Sequence, residues 1–387
     1  MKHHFSFKFL YLPLAGLFFT AACGKKESNT PGNGNTPPEN NVAVTVTTIA
    51  GKVNDHGNGE DGNGLNARFW NPTKMVFDNR NNMLYVADGT SIRSIDQQNN
   101  VKTYLPEHVL SAFNEIMDID LAPGPDGGTL YFISKENDIW KIEPNGNNYT
   151  TTKIIDRVFG GNETGAVNTS DQIDGATGIT TGKNGTIFFF NSFWNTMHSL
   201  TLNSLTPVTG TVNTFAGKAT ATRGAAAWPY KDGSGDDASF GGTVSDIASD
   251  ANGNIYVADF RNDLVRMVTP AGAVSSLFQY ENGIGVDYSG PVNVAQANHV
   301  THVSASADGK AIYFTTYGRG GNYSPALRLV KPGKEVITLV GSSMNYGDGN
   351  GASAALSTIG GIAATPDGKI IYVAEPGKKV IRKITIQ

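Results

Sequence analysis

The feature that most constrains this chain is a short unit that recurs about six times, with decay. Its clearest copy is DIASDANGNIYVADFRNDLVRMV at 246–268. Asp-Ala-Asn-Gly at 250–253 predicts a tight turn, because Asn and Gly tolerate positive φ. The β-branched and aromatic residues at 254–258 predict a strand, and similar runs follow at 264–268 and 273–278. A four-stranded antiparallel sheet of this kind has two apolar faces, so neighbouring copies must cover it, as in a propeller.

The other copies are recognised by the aromatic residue of the second strand. These aromatics are Tyr85, Tyr131, Phe188, Tyr256, Tyr313 and Tyr372. An Asp-Gly-x-Gly loop also recurs, at 61–64, 232–235 and 348–351. The combined pattern DGxG…AxF…IAxDxxGNIYVADxxNxxVR…G resembles the NHL repeat over residues 42–387. The resemblance implies a β-propeller, and NHL-type proteins mostly serve as interaction platforms.

The two ends of the repeat region complement each other. Residues 42–50 (VAVTVTTIA) read as a strand without a blade of its own, and residues 361–387 supply three strands where a blade needs four. We therefore expect the N-terminal strand to complete the C-terminal blade, which closes the ring and removes its open edges. The predicted fold is all-β, a single six-bladed NHL-like β-propeller.

The first 22 residues have the pattern of an export signal. Lys2 and Lys8 precede an apolar stretch that is too short to span as a mature helix and ends in Thr-Ala-Ala before Cys23. This resembles a bacterial lipoprotein signal in which Cys23 is acylated; an ordinary secretory signal with an incidental cysteine is the alternative. Residues 23–41 are rich in Gly, Asn and Pro, which predicts a flexible tether. We interpret the protein as exported and lipid-anchored to the cell envelope, at the outer membrane, with the membrane contacted through the anchor only.

Composition narrows the choice of partners. The formal net charge is −4 and no basic run occurs, which argues against a nucleic-acid partner. Cys23 is the only cysteine, so disulfides are excluded. We expect a monomer.

Candidate site residues come from aligning the position just before the apolar pair of each first strand. The six positions hold Lys74, Asp118, Gly178, Asp246, His302 and Gly361. We expect the ionisable ones at one mouth of the central channel, as a ligand or metal site. No cofactor is firmly implied: Asp118 and Asp246 would suit Ca²⁺, and His302 would tolerate a transition metal such as Zn²⁺. The alternative is a solvated channel rim in which Lys74 pairs with an aspartate.

Two further groups of side chains follow from the pattern. Acidic residues close the second strand of three blades, and we expect them to bond turn N–H groups or to pair with arginines of the third strand. The acids are Asp88, Asp259 and Glu375, and the arginines are Arg93, Arg266 and Arg382. Trp70 and Trp228 lie in predicted loops, either to stack on sugars or grip peptides, or to pack their loops onto the body.

Two functions from different classes remain open. The first is a lipid-anchored binding protein whose propeller face holds a partner protein or glycan. The second is a metal-dependent enzyme, because the related six-bladed propellers that resemble this pattern hold Ca²⁺ or Zn²⁺ at the channel mouth and act as lactonases or lyases. Asp118, Asp246 and His302 would be the metal ligands.

Overall fold

The structure is a computed structural model. It describes residues 42–53, 57, 59–109, 115–122, 124, 127–146, 148–155, 165–166, 175–220, 229–279, 287, 289–317, 325–341 and 346–387. The predicted export signal, Cys23, the predicted tether and Trp228 lie outside the described residues. No helix in the described part is long and apolar enough to cross a membrane.

Six antiparallel sheets form the blades of a propeller, as the repeat predicts. The first strand is β1 (Val44–Gly51). Blade 1 has β2 (Gly62–Asn63), β3 (Pro72–Asp78), β4 (Met83–Asp88), β5 (Ser91–Ile95) and β6 (Asn100–Leu105). Blade 2 has β7 (Ile116–Leu121), β8 (Leu130–Ser134), β9 (Ile139–Asn145) and β10 (Asn148–Ile155). Blade 3 has β11 (Gly165–Ala166), β12 (Ala176–Thr181), β13 (Ile187–Asn191), β14 (Thr196–Leu205) and β15 (Val208–Ala216).

The second half of the ring repeats this order. Blade 4 has β16 (Gly233–Ser234), β17 (Val244–Ser249), β18 (Ile255–Asp259), β19 (Leu264–Val268) and β20 (Ala273–Ser276), and blade 5 has β21 (Gly290–Pro291), β22 (Val300–Ala305), β23 (Ile312–Thr316), β24 (Ala326–Lys331) and β25 (Glu335–Val340). Blade 6 has β26 (Gly349–Asn350), β27 (Gly361–Ala364), β28 (Ile370–Glu375) and β29 (Val380–Ile386). The described 3₁₀ turns are Gly64–Asn66, Glu107–Val109, Gly235–Asp237, Phe260–Asn262 and Gly351–Ser353.

The inner strands surround the channel in the cyclic order β3, β7, β12, β17, β22, β27 and back to β3. Closure comes from β1, which pairs antiparallel with β29 from Val44 opposite Ile386 to Gly51 opposite Val380. The prediction that the N-terminal strand completes the last blade is therefore confirmed. Each apolar cluster is shared between neighbouring sheets; Phe190 of blade 3, for example, packs with Val257 of blade 4. This is the mutual covering of faces that the repeat requires.

The third-strand arginines form a buried ion pair in each well-formed blade. In blade 4 the Arg266 guanidinium donates to Asp259 at 3.3 Å and to Asp232 of the Asp-Gly-x-Gly loop at 2.7 Å. Blades 1 and 6 repeat this arrangement, with Asp88 and Asp61 around Arg93 and with Glu375 and Asp348 around Arg382. The predicted pairing is confirmed, and the aspartate of each Asp-Gly-x-Gly loop adds a second carboxylate to it.

Candidate functional site

A β-bulge at the same place in five inner strands sets the direction of the candidate side chains. The register shifts lie between Pro72 and Met75, Ile116 and Asp118, Ala176 and Gly178, Val244 and Asp246, and Val300 and His302. A bulge inserts one residue into one strand and re-aims the neighbouring side chains. Five of the six aligned positions thus share this backbone irregularity, and Gly361 of β27 does not.

Three of the predicted residues converge on one point inside the channel. The Lys74 ammonium lies 2.5 Å from Asp246 Oδ1 and 4.0 Å from Asp118 Oδ1. It also donates to the main-chain oxygen of Ser245 at 3.1 Å. All three residues are buried, with whole-residue exposed fractions of 9%, 4% and 5% for Lys74, Asp118 and Asp246. All three lie on inner strands, in β3, β7 and β17, and they line one cavity.

Both carboxylates also join neighbouring blades. Asp118 Oδ2 accepts the main-chain N–H of Ile179 from blade 3 at 2.8 Å, and Asp246 Oδ2 accepts that of Val303 from blade 5 at 3.0 Å. In blade 6 the corresponding position is Gly361, where a Cβ would lie 2.6 Å from the main-chain oxygen of Thr73. The aligned positions therefore include carboxylates that accept hydrogen bonds from the next blade, as well as charged groups that face the channel.

Burial and charge together decide the protonation of this cluster. Burial raises the pKa of Asp118 to about 8, against the opposing charge of Lys74. Burial also raises the pKa of Asp246, again opposed by Lys74. For Lys74, burial lowers the pKa, but the two carboxylates together outweigh it and the pKa is raised. Burial and the charge of Lys74 therefore act in opposite directions on the pKa of both aspartates, and the Lys74–Asp246 contact is the shorter of the two ion pairs.

His302 lies near the cluster but bonds elsewhere. Its Nδ1 is 2.9 Å from Thr315 Oγ1, within its own blade. Burial, and then the charge of Lys74, lower its pKa well below the usual value, so the imidazole is neutral. Among the described residues no group of three or more His, Cys, Asp or Glu side chains is placed to hold a metal.

A cavity of about 350 Å³ extends from this cluster along the inner strands toward their hairpin turns. Its polar walls include Asp120, Thr180, Thr181, Lys183, Ser249 and Ser304. Asp120 accepts the main-chain N–H of Thr181 at 2.7 Å, and burial raises its pKa to about 6. Sequence reasoning missed Asp120, although it lies two residues after Asp118 and a strand repeats its facing every two residues.

Trp70, which is the described one of the two predicted loop tryptophans, does not line this cavity. Trp70 is 57% exposed, packs against Gly89 and has the Lys379 ammonium 5.6 Å from its ring centroid. Two other loop aromatics, Tyr230 and Tyr346, instead cover buried arginines. The ring centroid of Tyr230 lies 5.4 Å from Arg266 Cζ, and that of Tyr346 lies 5.1 Å from Arg382 Cζ.

Comparison with known proteins shows the fold. No protein-family model matches the chain, and no curated protein matches it in sequence. An auxiliary nutrient binding protein from Bacteroides thetaiotaomicron aligns at a TM-score of 0.60 and 15% identity, covering 89% of this chain and 77% of that one. One from Bacteroides ovatus aligns at 0.60 and 14%, with the same coverage. A protein of unknown function from Bacteroides thetaiotaomicron aligns at 0.61 and 15%, covering 89% and 76%.

Proposed function

We propose that this chain is an exported, lipid-anchored envelope protein that binds a glycan in the cavity of its propeller. The observation that carries the proposal is the state of the channel cluster. Lys74 is neutralised by Asp246, while Asp118 and Asp246 accept main-chain N–H groups of the next blades. Because these charges are paired with one another and with main-chain groups, they stabilise the walls of a preformed cavity. A ligand is then bound by the shape of the cavity and by hydrogen bonds to its walls.

The size and lining of the cavity suit a polar ligand. Small-molecule sites usually enclose about 300–1,000 Å³, and this cavity lies at the lower end of that range. Hydroxyl groups of Thr180, Thr181, Ser249 and Ser304 line it beside apolar side chains such as Phe77. Hydroxyls and an aromatic ring together match a sugar, which has polar edges and an apolar face. The nutrient-binding proteins of similar fold support the same class of function.

The export part of the proposal rests on the sequence. The apolar segment before Cys23 and the polar tether at 23–41 resemble a lipoprotein signal and linker. The NHL-like pattern over 42–387 supports an interaction platform in the same way. A binding domain held to a membrane by a flexible tether can search for ligand around its anchor.

A blocking variant tests the site. Ala251 is exposed and lines the cavity, so Ala251→Trp places a large ring at its edge; Ala271→Trp, in an exposed outer turn, is the matched control. Glucose, galactose, mannose, N-acetylglucosamine and their disaccharides serve as probes in saturation-transfer difference NMR. We expect at least one probe to bind the wild type and the control, and to bind Ala251→Trp at least tenfold more weakly. The proposal fails if no probe binds, or if only Trp70→Ala weakens binding, which would indicate the exposed aromatic outside the cavity.

A metal-dependent enzyme is the second candidate. It would require a metal ion to replace the Lys74 ammonium beside Asp118 Oδ1 and Asp246 Oδ1. Elemental analysis of the purified protein decides between the two. Stoichiometric Ca²⁺ or Zn²⁺ that is lost in both Asp118→Ala and Asp246→Ala would support the enzyme, whereas a metal-free protein would count against it.

A further inference from the structure

One of the six aromatic residues that define the repeat differs from the others in burial. Five are buried, and they are Tyr85, Tyr131, Phe188, Tyr256 and Tyr313. The sixth, Tyr372 of blade 6, is only partly buried. Its hydroxyl makes no hydrogen bond to any described residue, whereas Tyr85 bonds Asn81 and Tyr256 bonds Asp250. The repeat pattern predicts a buried, equivalent side chain here, so the difference needs a cause.

The hairpin of the following blade also differs at this place in the ring. Glycines of left-handed φ pass directly over three of the buried tyrosines: a Cβ at Gly128 would lie 3.0 Å from Tyr85 Oη, and one at Gly309 would lie 2.9 Å from Tyr256 Oη. Gly368 covers Tyr313 in the same way and accepts its hydroxyl hydrogen bond.

The blade that follows blade 6 around the ring is blade 1, whose first hairpin has no glycine. Its residue of positive φ is Asn82, at 55°. No glycine of this hairpin covers Tyr372, and Tyr372 lines a cleft of about 550 Å³ between blades 6 and 1.

The cleft combines an aromatic wall with a polar rim. Tyr372 stacks on Phe77 across the blade boundary, with centroids 5.7 Å apart and rings inclined by 22°. The other polar residues that line the cleft include Asn82, Asp96, Gln97, Asn99, Asp367 and Lys383. Two carboxylates against one ammonium give this rim a net charge of −1, which disfavours an anionic ligand. The amide and carboxylate groups instead suit a ligand with many hydroxyls, because they can bond those hydroxyls. The aromatic side chain beside them suits the apolar face of a ring.

We propose that this cleft, between blades 6 and 1, is a second saccharide subsite that takes a neutral sugar ring against Tyr372. The inference rests on the proposed function and adds a place and a ligand class to it. Phe77, Asn79 and Pro366 line both the cleft and the central cavity, so the two are adjacent. A bound oligosaccharide extends from the channel into the cleft, with the free Tyr372 hydroxyl as a hydrogen-bonding group. The ligand also contacts Ile49 of β1, the strand that closes the ring.

Neighbouring glutamines provide a matched pair of test variants. Gln97 and Gln98 are both exposed, but only Gln97 lines the cleft. Gln97→Trp fills the cleft, and Gln98→Trp adds the same ring outside it. Tyr372→Phe removes only the hydroxyl. The affinity of each variant is measured by saturation-transfer difference NMR with the same mono- and disaccharides, and circular dichroism with urea midpoints confirms that each variant is folded.

We expect Gln97→Trp to bind disaccharides at least tenfold more weakly than the wild type, with Gln98→Trp unchanged. Loss of one hydrogen bond in Tyr372→Phe should weaken binding about threefold to tenfold. If Gln97→Trp and Tyr372→Phe bind as the wild type does while Ala251→Trp does not, the cleft inference is overturned and the proposed function stands. If no saccharide binds the wild type, the proposed function itself fails. Loss of binding in Gln97→Trp but not in Ala251→Trp would support the cleft as the main site.

Discussion

Replacing the buried arginine of blade 4 should remove a large part of the stability of the propeller. The Arg266 side chain is fully buried and its guanidinium has four acceptors: Asp232 at 2.7 Å, Lys231 O at 3.1 Å, Ser239 O at 3.2 Å and Asp259 at 3.3 Å. The Arg266→Met variant keeps much of the volume but leaves Asp259, which is 0% exposed, without its cation. Removing one partner of a buried ion pair costs about 3–5 kcal/mol, so we expect a loss of that size in the free energy of unfolding.

The loss should depend on pH in a defined direction. Burial already raises the pKa of Asp259, and removal of the arginine charge raises it further. The folded variant then keeps a proton that the unfolded chain releases near its usual pKa of 3.8. Its stability therefore falls as pH rises from about 4 through the raised pKa, and the deficit shrinks on acidification. Asn262 Nδ2 at 2.9 Å and Gly241 N at 3.0 Å still bond the carboxyl group and limit the effect.

Urea unfolding followed by circular dichroism at several pH values measures this loss. Arg261→Met is the matched control, because Arg261 is exposed and should change stability by less than about 0.5 kcal/mol. The double variant Arg266→Met, Asp259→Asn should recover part of the loss, since no buried charge is left unpaired. A cost below about 1 kcal/mol, or a deficit that grows at acidic pH, would refute the reasoning.

Three further predictions follow from the described contacts and the N-terminal sequence. Val46→Asp buries an unpaired charge in the closing strand, where Val46 is 1% exposed, and should lower the free energy of unfolding in urea by about 4 kcal/mol or more. Thr47 is the next residue and is exposed, so Thr47→Asp should be nearly neutral. Asp118→Asn should flatten the pH dependence of the free energy of unfolding between pH 4 and 8 by up to about 1.4 kcal/mol per pH unit. The reason is that the raised pKa of Asp118 makes wild-type stability fall as pH rises in this range. An unchanged slope would contradict the raised pKa. Cys23→Ala should move the exported protein from the membrane pellet to the soluble fraction in detergent phase partitioning, and a variant still in the pellet would refute lipid anchoring.

The fold was predictable because its information is local and repeated. The turn at 250–253 separates β17 from β18 as expected, and the Arg266–Asp259 pair lies within one such unit. Ring closure was predictable by counting strands at the two ends. In each case a residue's environment follows from its position in the unit, and the unit is repeated often enough to average out local variation.

The site was only partly predictable, for a physical reason. Lys74, Asp118 and Asp246 were correctly aligned and do converge, but their depth depends on bulges and on the packing of inner strands from different blades. Tyr372 and Asn82 line one cleft although they lie far apart in sequence. Differences between blades, rather than the repeat itself, create such cavities, and a pattern built from what the blades share does not show them.

The pairing of β1 with β29 also sets the order in which the molecule can mature. The strands of blade 2 lie close together in the chain and can pair soon after synthesis, but Val44 must wait for Ile386. Contacts this distant in sequence form slowly, because a long loop must close first. Until the last strand arrives, Val44 and Val46 lack the neighbours that bury them. The newly made chain therefore carries an exposed apolar strand at one end until β29 is made, and during that time this strand is open to pairing with other chains.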